Sequence, residues 1–278
     1  MPRPLLAPQD PRRYVPTPER PVRAKVRHLE ADVEIVPHHH DWAQVAISIT
    51  GVARITAGEC TYLVPACRAV WIPPGVEHVV TVLEATELRT LYVHQDERHV
   101  GPGVPRAQQA AWQACRVMEV SPLLRELVLQ MDVAMDGTAR PTTELLARER
   151  RLGELALDEL RRAAPVRLGI ELPQDKRLRS LCEAVLADPS RHATLQGWAA
   201  DAGASTRTVA RLFRQQLGTS FGPWRQQVLL ARALVLAAQG KPMGVIAADL
   251  GYASASAFTA MVRRSVGAPP GRFFSTLN

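Results

Sequence analysis

Residues Leu195–Gly218 read LQGWAADAGASTRTVARLFRQQLG, and residues Val245–Gly267 read VIAADLGYASASAFTAMVRRSVG. Each stretch begins with an apolar-patterned helix, breaks at a glycine, places a serine after the break and continues in a second amphipathic helix. The shared skeleton is AADAGAS at 199–205 and AADLGYAS at 247–254. This order is typical of the helix-turn-helix unit, whose second helix enters the DNA major groove. Two copies in one chain therefore predict a DNA-binding domain.

The basic charge of the chain is concentrated in the same region. The formal net charge is +7. From residue 195 to the end there are nine Lys or Arg and two Asp or Glu, whereas the preceding 194 residues hold 25 of each kind. A basic excess confined to the repeated helix pairs indicates a polyanion as partner, and speaks against a merely solvated helical surface. Double-stranded DNA is therefore the expected macromolecular partner.

Length and composition limit the other possibilities. A chain of 278 residues suits two domains. No apolar run reaches the roughly 18–20 residues of a membrane span, and the first residues lack the apolar segment of a secretory signal. The four cysteines show no CxxC spacing, as expected of reduced thiols; they are Cys60, Cys67, Cys115 and Cys182. We therefore expect a cytoplasmic protein with no membrane partner.

The N-terminal part divides into an arm and a series of short strands. Seven prolines occur by residue 21, which favours a disordered or extended arm over residues 1–24. From Val22 to about Val93 apolar and polar residues alternate in short runs, and glycine, proline or charged turns separate them. Short strands at this spacing predict an all-β barrel or sandwich.

Two helices are predicted between the strands and the DNA-binding region. Ser121–Met135 begins with a capping serine and a proline at the first helical position. Thr143–Ala164 is longer and amphipathic, and residues 164–173 are the expected hinge between the domains. Three leucines lie on the longer helix, namely Leu145, Leu152 and Leu155. They could pack against a partner helix in a homodimer, or they could cover the barrel of their own chain. The pattern is compatible with both arrangements.

The predicted DNA-reading helices differ in side-chain chemistry. In the first unit Arg207 and Arg211 are four residues apart, so both project from one face and can contact guanine edges or phosphates. In the second unit the open face carries small side chains that cannot make bidentate base contacts, so the first unit is expected to dominate sequence readout. The predicted DNA-contacting residues are Arg207, Thr208, Ala210, Arg211, Arg214, Ser256, Thr259, Arg263 and Arg264.

A helix over Phe221–Gln239, ending at Gly240, joins the two units. Residues Leu195–Phe274 resemble the DNA-binding domain of AraC/XylS-type transcriptional regulators, most specifically in GYASASAFTAMVRRSVGAPPGRFF at 251–274. The resemblance implies that Arg207, Ala210 and Arg211 face bases, and that an activator of this kind would also contact RNA polymerase. The matching positions in the second unit carry the small residues Ala255, Ser256 and Ala260, which depart from the family pattern. Base contacts are therefore less expected from the second unit.

A second resemblance covers the strand region. HHHDWAQ at 38–44, followed by Gly51, resembles the first cupin motif, HxHx3Ex6G, with Gln44 in place of the acid. PPGVEH at 73–78 matches the second motif, PxGx2H. In metal-binding cupins the matching histidines bind a divalent transition metal, which suits imidazole; they are His38, His40 and His78. The missing carboxylate leaves open the alternative of a pocket for an organic effector, with His38, His40, Gln44, Trp71, His78 and Tyr92 as candidates.

The sequence thus predicts an α+β protein of two domains. The expected order is an arm at 1–24, a cupin-like barrel at 25–103, a helical linker at 104–168, and an all-α domain with two helix-turn-helix units at 169–278. The expected protein is a ligand-responsive transcription regulator without enzymatic activity. The sequence assigns it no definite cofactor. The alternative is a cupin metalloenzyme, of dioxygenase or isomerase type, fused to a DNA-binding domain.

Overall fold

The computed structural model describes residues 3–58, 60–65, 68–96, 100–137, 141–166, 169–266 and 269–274, with residues 238, 272 and 273 described in backbone alone. Cys67 and Gly267, which the sequence analysis names, lie outside these ranges. The chain forms two compact units, the first of residues 1–58 and 64–167 and the second of residues 59–63 and 168–278. In the described part of the chain, no helix is long and apolar enough to span a membrane.

The structure confirms a β-rich N-terminal unit and a helical C-terminal unit. The strands are β1 Leu5–Leu6, β2 Val22–Leu29, β3 Glu34–His38, β4 Ala43–Ser48, β5 Val52–Ala57, β6 Cys60–Pro65, β7 Arg68–Ile72, β8 His78–Glu84, β9 Thr86–Val93, β10 Arg116–Glu119, β11 Pro165–Val166 and β12 Gly169–Glu171. The α-helices are α1 Pro122–Gln130, α2 Thr143–Arg162, α3 Lys176–Ala187, α4 Leu195–Asp201, α5 Thr206–Leu217, α6 Phe221–Ala238, α7 Met243–Asp249, α8 Ala255–Val266 and α9 Pro270–Phe274.

In the first unit two sheets carry the alternating pattern. One has the order β1-β3-β8-β5 and the other β11-β10-β7-β4-β9-β2. Alternate residues of the second sheet, among them Val45, Trp71 and Leu91, pack against Leu124 of α1 and Ala156 of α2 in a continuous apolar core. Because side chains alternate along a strand, the intervening residues turn to the other face of the sheet. The candidate site lies on that other face.

The N-terminal segment is not the disordered or extended arm that its prolines predict. β1 pairs in parallel with β3, and a 3₁₀ helix at Pro11–Tyr14 buries Tyr14 to 3% exposure. Arg20 forms ion pairs with Asp136 and with Glu149 on α2. Proline content predicts a stiff backbone, but it gives no information about long-range contacts. These contacts hold the segment on the barrel.

The predicted helical linker is only partly helical. α1 begins at the predicted cap, where Ser121 Oγ accepts a hydrogen bond from Leu124 N at 3.0 Å, but it ends at Gln130. β10 and β11, predicted as linker, join the sheet beside β7. These strands are too short for alternation to identify them, and only pairing with an existing sheet makes them strands.

The second unit contains the β6–β12 pair, with Gly169 opposite Tyr62, and the helices α3–α9. Residues 60–63 therefore group with this unit, although the sequence placed them in the barrel domain. The predicted helix pairs α4–α5 and α7–α8 are confirmed, with Ser205 and Ser254 capping the second helix of each pair. Val245 is 44% exposed, whereas Ile246 and Ala247 of α7 are buried.

Candidate functional site

Three histidines converge inside the first unit. β3 and β8 pair with His38 opposite His78, and His40 follows β3 by two residues, so its side chain returns to the same side. The potential ligand nitrogens of the three imidazoles lie within 4.8 Å of one another. The ring centres of His38 and His78 are 4.3 Å apart. His40 and His78 are buried and His38 is half-buried.

Backbone hydrogen bonds orient two of these rings. His38 Nδ1 lies 2.8 Å from Val36 O, and His78 Nδ1 lies 3.0 Å from Val76 O. A carbonyl oxygen only accepts, so Nδ1 carries the proton in both rings and Nε2 keeps its lone pair. Within the described part of the chain, no group forms a hydrogen bond with the buried Nε2 of His78. The arrangement presents imidazole lone pairs to the interior, as a metal ion or a hydrogen-bond donor requires.

Burial keeps the imidazoles neutral. It is the main reason that the pKa of His40 falls to about 3 and that of His78 to about 4, and the neighbouring histidines and Lys25 lower both further. The pKa of His38 is lowered for the same reasons, against the opposing hydrogen bond to Val36. At neutral pH the cluster is therefore uncharged.

A buried lysine stands beside the cluster. Lys25, on β2, is 7% exposed, and its Nζ donates a hydrogen bond to Tyr92 Oη at 2.5 Å. Tyr92 Oη in turn lies 3.3 Å from His40 Nε2. Burial, and then the charge of Arg27, lower the pKa of Lys25 to about 7. Burial also raises the pKa of Tyr92, so the phenol keeps its proton.

The other predicted effector residues divide into two groups. Gln44 is buried and lies opposite Tyr92 across β4 and β9, on the face of the cluster. Trp71 does not belong to the site. Its neighbour Ile72 is the residue opposite Gln44, and Trp71 itself packs in the core under the helices, donating its indole N–H to Trp112 O at 2.9 Å.

Two further side chains belong to the site, Trp42 and Lys25, and sequence reasoning missed Lys25. Trp42 stacks on His40, with ring centres 5.6 Å apart and 1° between the planes, and meets Tyr92 edge to face. Lys25 lies between Ala24 and Val26 on β2, where basic residues alternate with apolar ones. This alternation was the available signal, but which positions are inward depends on the pairing of β2 with β9.

A buried ion-pair network joins the strands of this unit to α2. Arg23 lies opposite Tyr92 in the β2–β9 register. Its guanidinium contacts Asp136 Oδ1 at 2.6 Å and Glu149 Oε1 at 3.2 Å. Arg20 binds the same two carboxylates, with its Nε 2.8 Å from Glu149 Oε2. Ion pairs therefore connect β2, the strand that carries Lys25, to α2.

The predicted DNA-reading residues lie on accessible helix faces of the second unit. Four of those on α5 are exposed and Ala210 is half-buried, while Val209 and Phe213 fill the opposite face. Arg211 donates a hydrogen bond to Gln215 Oε1 at 2.9 Å, which holds its guanidinium along the helix. On α8 Thr259 is half-buried, and the remaining three predicted contacts are exposed; they are Ser256, Arg263 and Arg264.

Comparison with known proteins agrees with both halves of this description. Residues 26–161 match the model of the AraC-like ligand binding domain, and residues 198–276 match a helix-turn-helix domain model. The HTH-type transcriptional regulator NimR of Escherichia coli K12 is 31% identical over 241 residues, which cover 86% of this chain and 82% of NimR. The chain belongs to the AraC family of transcriptional regulators.

Other relatives of this AraC-family regulator match smaller parts. The arabinose operon regulatory protein of Salmonella typhimurium is 30% identical over 156 residues, which cover 55% of this chain and 53% of that protein. The crystal structure of ToxT from Vibrio cholerae aligns with 93% of this chain and 98% of its own, at 11% identity and a TM-score of 0.36.

Proposed function

We propose that the cluster of His38, His40 and His78, together with Gln44 and Tyr92, is the effector site of this AraC-family regulator. The observation that carries the proposal is the convergence of three neutral imidazoles within 4.8 Å, inside the part that matches the ligand-binding model. Buried polar groups without partners are costly in a protein interior, and the free Nε2 of His78 is such a group. A bound effector would satisfy it.

Two classes of effector suit the cluster. A divalent transition metal would be held by the three histidines and would supply a coordination centre with open positions. An organic effector would instead donate hydrogen bonds to the imidazole lone pairs and stack on Trp42. The presence of Gln44 where metal-binding cupins have an acid favours the organic effector, because an amide brings no negative charge to balance a cation.

We infer that the site communicates with α2 through β2. Displacement of Tyr92 or Lys25 by an effector moves β2, and Arg23 on the same strand is bound to Glu149 of α2. A change in how α2 docks would then alter DNA binding through the hinge at 164–173, of which residues 167 and 168 lie outside the described part. A coupling of about 1–3 kcal/mol would change the affinity for DNA roughly 5–150-fold.

DNA binding is proposed to depend mainly on Arg207 and Arg211 of α5, with Arg263 and Arg264 of α8 holding phosphates. The regulator would act in the cytoplasm, as a homodimer if α2 pairs with its copy, and would contact RNA polymerase if it activates transcription. The second candidate function, a cupin metalloenzyme, is favoured by the convergent histidines alone. The amide of Gln44 brings neither the negative charge of a carboxylate ligand nor a general base, so we propose no enzymatic activity.

The test compares histidine variants in a reporter driven by an operator found in the DNA flanking the coding region. His38→Ala and His78→Ala should abolish the transcriptional response and keep basal DNA binding, whereas His28→Ala, an exposed histidine of the same unit, should respond normally. The metal content of the purified protein and of the two variants separates the two effector classes. A normal response from both cluster variants would show that the barrel is not the sensor, and turnover of a substrate would support the enzyme.

A further inference from the structure

The cationic side chain that reaches the histidine cluster is Lys25, whose Nζ bonds Tyr92 Oη beside His40. Lys25 lowers the pKa of all three histidines, and Arg27 lowers that of His38 as well. The charge of Arg27 lowers the pKa of Lys25 too, after the larger effect of burial. Among the residues that the structure describes, no Asp or Glu pairs with Lys25. A buried ammonium without a counter-ion is unfavourable, because desolvation is not repaid by a partner.

We propose that Lys25 and Tyr92 form an anion subsite beside the histidine cluster, and that the effector is a carboxylate or a comparable oxyanion. This inference rests on the proposed effector site and names the chemical class that the site accepts. Lys25 Nζ supplies the charge, and it is already oriented by the hydrogen bond to Tyr92 Oη and by its position 4.7 Å above the centre of the Tyr92 ring. A charge-assisted hydrogen bond to an ionised acid is among the strong ones in proteins.

The histidines direct the anion to Lys25. Their Nδ1 protons at His38 and His78 are used by backbone carbonyls, so the inward Nε2 atoms are acceptors and repel a carboxylate oxygen. The phenol of Tyr92 accepts from Lys25 and keeps its own proton for a second partner, either His40 Nε2 or an oxygen of the anion. The effector therefore presents its acid group to Lys25 and the remainder of its surface to the imidazoles and Trp42.

The test uses the full chain, stripped of metal with EDTA, and measures thermal stability in increasing sodium acetate at constant ionic strength. Acetate is the probe because it is small enough to enter any carboxylate subsite, and acetamide is its uncharged match. We expect acetate to raise the melting temperature saturably, with no such effect from acetamide. Lys25→Met should weaken acetate binding at least about tenfold, since it removes the ammonium that would contact the acetate directly.

Matched variants keep the outcome interpretable. Lys25→Met removes a buried charge at nearly constant volume, so it is expected to fold. Tyr92→Phe, which keeps every ring contact, should weaken acetate binding about threefold or more and serves as the second variant. Lys176→Met, which removes an exposed lysine, should bind acetate as the unchanged chain does.

Two results would overturn the subsite. One is an equal effect of acetate and acetamide on the unchanged chain, and the other is an acetate effect that persists in both Lys25→Met and Tyr92→Phe. An acetate effect that is present in the untreated chain and absent after EDTA treatment would place the anion on a histidine-bound metal instead, which also contradicts the assignment. Failure of the effector site itself is recognised separately, because His38→Ala and His78→Ala would then respond normally in the reporter.

Discussion

The ion-pair network under α2 offers a stability test with a magnitude set by the structure. Glu149 is 6% exposed, and its carboxylate accepts two hydrogen bonds from Arg20, at 2.8 and 3.0 Å. It also meets Arg23 Nε at 3.2 Å. Glu149→Gln keeps the shape of the side chain but removes its charge, which leaves two largely buried guanidinium groups to share Asp136.

Breaking a buried ion pair by removing one partner costs about 3–5 kcal/mol. Asp136 stays in contact with both arginines, and the amide oxygen of the new glutamine still accepts one hydrogen bond, so we expect about 3 kcal/mol, at the lower end. With a urea dependence of about 2 kcal/mol per molar, this loss lowers the unfolding midpoint of the unit by roughly 1.5 M. The control is Glu154→Gln on the same helix, where the pair with Arg150 is exposed and a change within about 0.5 kcal/mol is expected.

The measurement must report on the first unit, because two units need not unfold together. Urea titration followed by circular dichroism, combined with hydrogen exchange of peptides from β2 and α2, assigns the loss to this network. A loss below about 1 kcal/mol for Glu149→Gln, or one no larger than that of Glu154→Gln, would refute the reasoning. The charges would then not hold β2 to α2, and the proposed path from effector site to helix would lose its physical link.

Three further predictions concern DNA binding and assembly. Arg211→Ala should weaken operator binding by about 1–3 kcal/mol and relax preference at one base position, whereas Arg263→Ala should weaken binding to all sequences alike, as gel-shift titrations on specific and random DNA would show. Neutralisation of about 6–8 phosphates predicts a log–log salt slope of roughly −5 to −7, and a flat salt response in filter binding would contradict the charge argument. Leu155 is 51% exposed, whereas Leu152 packs against the core of its own unit. A homodimer through α2 therefore predicts that Leu155→Asp yields monomers in sedimentation, and an identical sedimentation coefficient for variant and unchanged chain would rule out this contact.

The helix-turn-helix units could be predicted because their information is local. Apolar spacing of three and four residues, a glycine at the turn and a capping serine specify each pair within about 25 residues. The structure confirms Ser205 and Ser254 as caps and Gly240, with φ of +75°, after the connecting helix. The histidines of the barrel were found for a similar reason, since alternation along one strand places His38 and His40 on one side.

What the sequence by itself determined was therefore the family, the two-part architecture and the histidine set. Only the tertiary structure decided that Lys25 belongs to the site, that Trp71 does not, and that the proline-rich N-terminal segment is packed rather than free. The reason is that strand alternation defines two faces without saying which is inward. That choice is made by pairing register and by the helices that cover one face, and a shift of one residue would exchange the two sets of side chains. Contacts between residues more than a hundred positions apart, such as Arg20 with Glu149, leave no local pattern to read.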